Sequence, residues 1–338
     1  MVAMDNPAHA KMVPGYTHLP GHHCGSTALR NLLAFGGTGI SEEMAFGLGA
    51  GAGFYYLTVA ESSPSRWFNG RTAKLEDNFR ELTGGALELR TFEDDASAWA
   101  EAKAAIDSGE PALLLTDLFY LDHYGDSAHF PGHAVVLAGY DDEFAFLSDT
   151  GFEQLQTTRL EHLSRARRSD HPWFLLEGNM FTLAEGFDPG ALDEAIEPAI
   201  GRAVQEMLDP PFGEFGGLPA VKRFAEEAPH WPDVAEDWQW CSRFAYQVIE
   251  RRGTGGGAFR PMYSRFLTEA GVPEAAELAA VAGRSWTALA ASFKRASESE
   301  VPDPGLGGGR GGDAAAVFEA EEHFWTTLSA TAGQSLSR

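Results

Sequence analysis

The hydrophobic period of this chain changes once, near residue 184, and that change limits the folds open to it. Before it, apolar runs of strand length alternate with short helical stretches. After it, segments around 189–208, 217–227, 234–252, 258–271, 274–299 and 314–330 are rich in Ala, Leu and Glu and helical in period. With 338 residues, 44% of them hydrophobic, each half is long enough to bury a core of its own. The expected architecture is an α+β domain at 14–183 followed by a mostly α-helical domain at 184–338. The Gly- and Pro-rich run at 301–313 is expected to be a flexible loop.

Within the first half, residues 24–35 place Leu29, Leu32 and Leu33 at helical spacing, and Gly36-Gly37 supply a stop. A strand is expected at 54–59, helices at 74–82, 96–108 and 160–167, and further strands at 87–91, 112–117, near Gln154 and at 173–176. The clearest β signal is a pair of apolar runs at 133–139 and 143–149, separated by Tyr140-Asp141-Asp142. A three-residue loop there pairs Gly139 with Glu143, and the same register sets His133 directly opposite Asp149, about 5 Å apart at Cβ.

Charge excludes some functions. The 25 Lys and Arg against 49 Asp and Glu give a net charge of −24, with no basic tract spanning a face. Neither a nucleic-acid binder nor a binder of anionic membranes is expected. The two cysteines, Cys24 and Cys241, cannot build a disulfide framework, and no apolar run reaches signal-peptide or membrane-span length. A reduced, cytoplasmic setting is the expectation. Gly47, Gly49, Gly51 and Gly53 alternate without forming GxGxxG, and no GxxxxGK occurs, so no nucleotide cofactor is implied.

Cys24 stands at the start of a helix, where free amides and the macrodipole favour a thiolate. A nucleophile of this kind needs a base and a group that orients the base, and His133 and Asp149 supply both, in papain-like order. His129 is the second choice of base. His18, His22, His23 and Cys24 lie close in sequence, but HxxxHHC is not a zinc motif, and no metal site is expected. Cys241, among Trp238, Trp240, Phe244 and Tyr246, reads as core. Between two helices, Gly253-Thr254-Gly255-Gly256-Gly257 permits close approach of a ligand, flanked by Glu250 on one side and Arg260 on the other.

At this point the residues carry a resemblance. His23-Cys24 with its Leu-rich helix, Ser41-Glu42-Glu43-Met44-Ala45-Phe46-Gly47-Leu48-Gly49, the run from His133 to Gly139 with Tyr140-Asp141-Asp142, and Asp149 are together similar to the butirosin biosynthesis protein H family. The segment from Ile249 to Tyr263 resembles that family's companion C-terminal domain. The resemblance implies a papain-like fold in the first domain and transfer of an acyl or aminoacyl group from an acyl carrier protein thioester, through Cys24, to an amine of a natural product. It implies Cys24 as nucleophile, His133 as base and Asp149 as its orienter. His18, six residues before the cysteine, stands where papain-like enzymes often place an oxyanion-hole Gln. The weaker candidates for oxyanion or substrate contacts are His18, His23, Glu250, Thr254, Arg260 and Tyr263. Docking of an acidic carrier calls for a local basic patch, and Arg159, Arg165, Arg167 and Arg168 form the densest one. A cysteine hydrolase with the same three residues and a non-catalytic binding module are the alternatives, and a homo-oligomer is left open.

Overall fold

The computed structural model describes residues 10–125, 128–171, 174–299, 303–306 and 312–335. Its strands are β1 (Lys11–Met12), β2 (Ala52–Thr58), β3 (Arg66–Arg71), β4 (Leu87–Arg90), β5 (Ala112–Asp117), β6 (Pro131–Tyr140), β7 (Phe144–Ser148), β8 (Gln156–Arg159) and β9 (Met180–Leu183). The helices of the first half are α1 (Cys24–Phe35), α2 (Glu42–Leu48), α3 (Leu75–Leu82), α4 (Asp95–Asp107) and α5 (Leu160–Arg167). Those of the second half are α6 (Gly190–Leu208), α7 (Gly217–Glu227), α8 (Trp231–Val234), α9 (Trp238–Glu250), α10 (Arg260–Glu269), α11 (Pro273–Ser297) and α12 (Asp313–Ser335).

The chain forms two compact units, and they cross the boundary drawn from periodicity. The first comprises 1–45 and 84–191, the second 46–83 and 192–338. Residues 46–83, placed by sequence in the α+β domain, therefore belong with the helices. The reason is chemical: β2 and β3 pair as an isolated antiparallel ribbon, and their aromatic side chains are core to the helical unit. Phe68 lies 4.7 Å from Phe224 and Phe54 lies 5.4 Å from Trp286, ring centre to ring centre.

The first unit is an α+β fold. Its antiparallel sheet has the order β4-β9-β5-β6-β7-β8, with β1 added to β6. From His133 to Tyr140, β6 is buried at every residue, because helices pack against it and its neighbours. Leu114, Val135, Leu137 and Leu147 join Ala102, Ala105 and Ile106 of α4 and Leu163 and Ala166 of α5 in one core. α1 packs against β5 and β6, with Leu29, Leu32 and Leu33 fully buried.

Two expectations are corrected here. Residue 173 of the strand expected at 173–176 lies outside the described residues, and 174–176 are not a strand. The final strand is β9, which pairs with β4 and β5 after Gly178 turns the chain at φ +71°. The β6–β7 hairpin is also tighter than expected, because Asp141 N–H reaches Phe144 O at 2.9 Å and the Asp141 carboxylate accepts from Glu143 and Phe144 N–H. Of the loop expected at 301–313, residues 301, 302 and 307–311 lie outside the described residues, and Pro304–Leu306 form a 3₁₀ turn. Among the described residues, no helix is long and apolar enough to cross a membrane.

Candidate active site

α1 begins at Cys24 because His23, in an extended conformation, caps it. Its Nδ1 accepts the Ser26 N–H at 3.3 Å. The approach to the cap is held by Glu42, a residue to which the sequence alone assigned no role. One carboxylate accepts the His22 N–H at 2.9 Å, the His23 N–H at 2.7 Å and the Thr27 hydroxyl at 3.1 Å, and it is 6% exposed. A Cβ on Gly21 would collide with Thr27 Oγ1 and Glu42 Oε2, so only glycine lets the chain pass this close. Glu42→Ala leaves the buried His23 amide and the half-buried His22 amide without their acceptor. It is expected to destabilise the first unit by about 2 kcal/mol and to slow alkylation of Cys24, as read by denaturant midpoint and iodoacetamide kinetics.

His133 and Asp149 meet, but not as direct cross-strand partners. The register pairs Val136 with Ser148 and Leu137 with Leu147, then shifts so that Gly139 faces Phe146 and Tyr140 faces Ala145. Continuing the first of these pairings sets Val135 opposite Asp149, with His133 two residues along on the same face. That diagonal spacing is still within reach of an imidazole. His133 Nε2 accordingly lies 3.1 Å and 3.0 Å from the two Asp149 oxygens. Since a carboxylate only accepts, Nε2 carries the proton and Nδ1 is left for Cys24.

Asp149 has further partners that the sequence did not reveal. His123 Nε2 donates to Asp149 Oδ2 at 2.9 Å, and the Tyr124 hydroxyl donates to Oδ1 at 3.3 Å. Both come from a single 3₁₀ turn at Asp122–Tyr124. The Asp149 side chain is fully buried.

The electrostatics follow from this packing. Burial by itself raises the Cys24 thiol, but the neighbouring His23 and His133 imidazoles outweigh it and hold the group well below its ordinary value. Burial would lower His133, yet the Asp149 carboxylate and the Cys24 sulfur together raise it to about 10. Burial would raise Asp149, and His133 and His123 instead hold it well below the usual carboxylate range. Tyr124 is raised by burial and then by the charges of Asp149 and Cys24, so it remains a neutral donor. The site at neutral pH is a thiolate–imidazolium pair backed by a carboxylate.

A model of the butirosin biosynthesis protein H N-terminal domain matches residues 23–150, and a domain of unknown function, DUF4872, matches 161–328. The two matches in this order give the chain the butirosin biosynthesis protein H-like two-domain architecture. The matched N-terminal segment contains Cys24, His133 and Asp149. Among solved structures, a crystal structure described as a C39-like peptidase from Bacillus anthracis matches 53% of this chain and 99% of its own, at 14% identity and a TM-score of 0.36. No curated protein matches the chain at a significant level.

Other sequence candidates in this butirosin biosynthesis protein H-like chain are engaged elsewhere. His18 places Nδ1 2.7 Å from Ser148 Oγ and Nε2 2.7 Å from Phe152 O. Both ring nitrogens are used, so the ring fastens the segment before Cys24 to the end of β7 and does not serve as an oxyanion donor. His129 bonds to Asp117 at 2.7 Å and stacks on Phe119, so the imidazoles that meet Asp149 are those of His133 and His123. Among the described residues, no three His, Cys, Asp or Glu side chains are arranged to hold a metal ion.

The DUF4872 residues expected to face an acceptor are built into the helical unit. Arg260 is 0% exposed. Its guanidinium bonds Glu321 through Nε at 2.7 Å, Gly70 O at 2.7 Å and Gly53 O at 3.0 Å, so it does not clamp Glu250 across the glycine loop. Glu250 instead accepts from Gly257 N–H and the Thr287 hydroxyl. Thr254 donates to Ile249 O and accepts from Gly256 N–H, and Tyr263 is buried beside Trp325. These contacts close a helix-to-helix corner. Cys241 is buried against Ser65 and Asp237, as its aromatic neighbourhood suggested.

The basic patch on and around α5 is also smaller than its sequence. Arg167 is 2% exposed and spends its guanidinium on Ala98 O and Gly178 O. Arg168 is held by Phe92 O and Asp95. Arg159 and Arg165 are the two of the four without such anchoring, Arg165 lying over the Tyr120 ring at 4.7 Å.

Proposed function

We propose that this chain is an amide-forming acyltransferase of natural-product biosynthesis, taking an acyl or aminoacyl group from an acyl carrier protein thioester and passing it through Cys24 to a small-molecule amine. The observation that carries the reading is the pairing of a helix-start thiolate with the His133–Asp149 couple. The Cys24 sulfur attacks the thioester carbonyl, and the Cys24 N–H, at a helix start where amides stand outside the intrahelical ladder, receives the oxyanion. The carbon–sulfur bond to the carrier breaks, and the departing thiolate takes the His133 proton. In the second half the amine attacks acyl-Cys24, His133 accepts the amine proton, and the Cys24 thiolate leaves. Exchange of one thioester for another is nearly isoenergetic, so the work of the site lies in excluding water and placing the amine.

Incubation with a panel of acyl-pantetheine thioesters, followed by intact-mass measurement, is expected to give one adduct, on Cys24. Adding primary amines then separates transfer from hydrolysis. If water resolves the adduct at the same rate with and without any amine, the chain is a cysteine hydrolase. If no thioester or peptide probe modifies Cys24, the acyl-enzyme reading fails.

A further inference from the structure

We propose that His123 is a positioning residue for the Cys24 centre: donating from Nε2 to Asp149, it holds the carboxylate against His133. The inference rests on the reading of Cys24, His133 and Asp149 given above and adds a fourth side chain to it. Asp149 Oδ2 sits between two imidazoles, 2.9 Å from His123 and 3.0 Å from His133. The His123 side chain is 6% exposed and the Asp149 side chain 0%. Because Asp149 can only accept, the His123 Nε2 carries a proton toward it, which leaves Nδ1 to face Thr158. Thr158 Oγ1 lies 3.3 Å from that nitrogen and is fully buried. A hydroxyl on β8 thus holds the second ring nitrogen, while the acceptor-only Asp149 carboxylate sets which nitrogen carries the proton.

The charged and titratable groups around His123 are few. On its own turn are Tyr124, which shares Asp149, and Asp122, whose carboxylate is taken up by the Arg159 N–H and by His162. From β6 comes His133, reached through Asp149. Phe152 closes the remaining side, ring centre 5.1 Å from that of His123. The only anion that His123 touches through a hydrogen bond among the described residues is therefore Asp149.

The consequence has a sign. Hydrogen bonding from His123 is one of the causes that keep Asp149 ionised in acid. Without it, Asp149 takes up a proton at higher pH and is freer to turn from His133. Either change withdraws support from the His133 imidazolium, and the Cys24 thiolate is lost at higher pH. A hydrogen bond to a charged group is worth about 1.5 kcal/mol, which corresponds to roughly one pH unit.

The test is the rate of Cys24 alkylation by iodoacetamide from pH 4 to 8, with intact mass confirming a single adduct, beside thermal melting. His123→Leu, similar in bulk and unable to donate, is expected to move the acid limb up by about one unit. The rate at pH 5 then falls about tenfold while the neutral plateau stays close to wild type. His123→Gln, whose amide nitrogen can stand near the lost Nε2, is expected to restore most of the profile. Thr158→Val removes one hydroxyl and keeps the shape, and a shift of about threefold in the same direction is expected. A wild-type profile in His123→Leu overturns the proposal, as does His123→Gln that matches His123→Leu with only a lowered melting temperature. If His123→Leu does not fold, an unshifted Thr158→Val profile overturns it instead. A wild-type enzyme that alkylates like an ordinary thiol rejects the Cys24–His133 pair itself. An acid-shifted wild type with an indifferent His123→Leu rejects the role of His123 alone.

Discussion

Cys24→Ala is expected to lower acyl transfer by about 10³-fold or more and to leave the fold in place. The second half follows from local structure. Position 24 opens α1, the cap is made by His23 and Glu42, and alanine is the best helix former at the site it enters. The first half follows because no other thiol is available. Cys241 is buried in the helical unit against Ser65 and Asp237, and burial pushes its thiol up. Intact mass after exposure to an acyl thioester should show no adduct, and circular dichroism should overlay the wild type. His133→Ala is expected to slow transfer by a similar factor. The double variant should be little worse than either alone, since a nucleophile and its base act as one unit. Comparable turnover in Cys24→Ala would end the covalent route, and simple multiplication of the two losses would mean that the residues work separately.

Much of this site could be read from the sequence, and the unread part has identifiable physics. A cysteine before a Leu-rich helix and a hairpin bearing His and Asp are local patterns, so Cys24, His133 and Asp149 emerged even though the assumed register was off. An error of two in the index sum keeps every side chain on its face, which is why the pair survived it. His123, Tyr124 and Glu42 stayed hidden because each reaches the site through a turn or helix start whose direction only the tertiary fold sets. A one-turn 3₁₀ segment has no periodicity to detect. β3 was missed for a related reason: Arg66-Trp67-Phe68-Asn69-Gly70-Arg71 sets two adjacent aromatics among polar residues and a glycine with no two-residue alternation, and its partner β2 supplies the order. Residues 46–83 were assigned by position in the chain, whereas their aromatic side chains choose the helical unit.

Arg260 shows how a glycine-flanked arginine in a motif can be misread from sequence, and it supplies the largest stability effect expected. Its side chain and that of Glu321 are both 0% exposed and 2.7 Å apart. Glu321 also accepts the indole N–H groups of Trp286 and Trp325, at 2.6 Å and 2.7 Å. Arg260→Ala would therefore leave a buried carboxylate with only two neutral donors and strip Gly53 O and Gly70 O of theirs. Removing one member of a buried pair costs about 3–5 kcal/mol, which for a unit of this size lowers the melting temperature on the order of 10 °C. Replacing both members, as Arg260→Met with Glu321→Leu, is not expected to recover this loss, because the two indoles and two carbonyls would then be buried unpaired. Calorimetry checks these values, and the partition of acyl-Cys24 between amine and water gives the decisive comparison. A variant with an unchanged melting temperature and a larger share lost to water would return Arg260 to the acceptor site, whereas a less stable variant with the wild-type partition at low temperature fixes its role as the tie between α10, α12 and the β2–β3 ribbon.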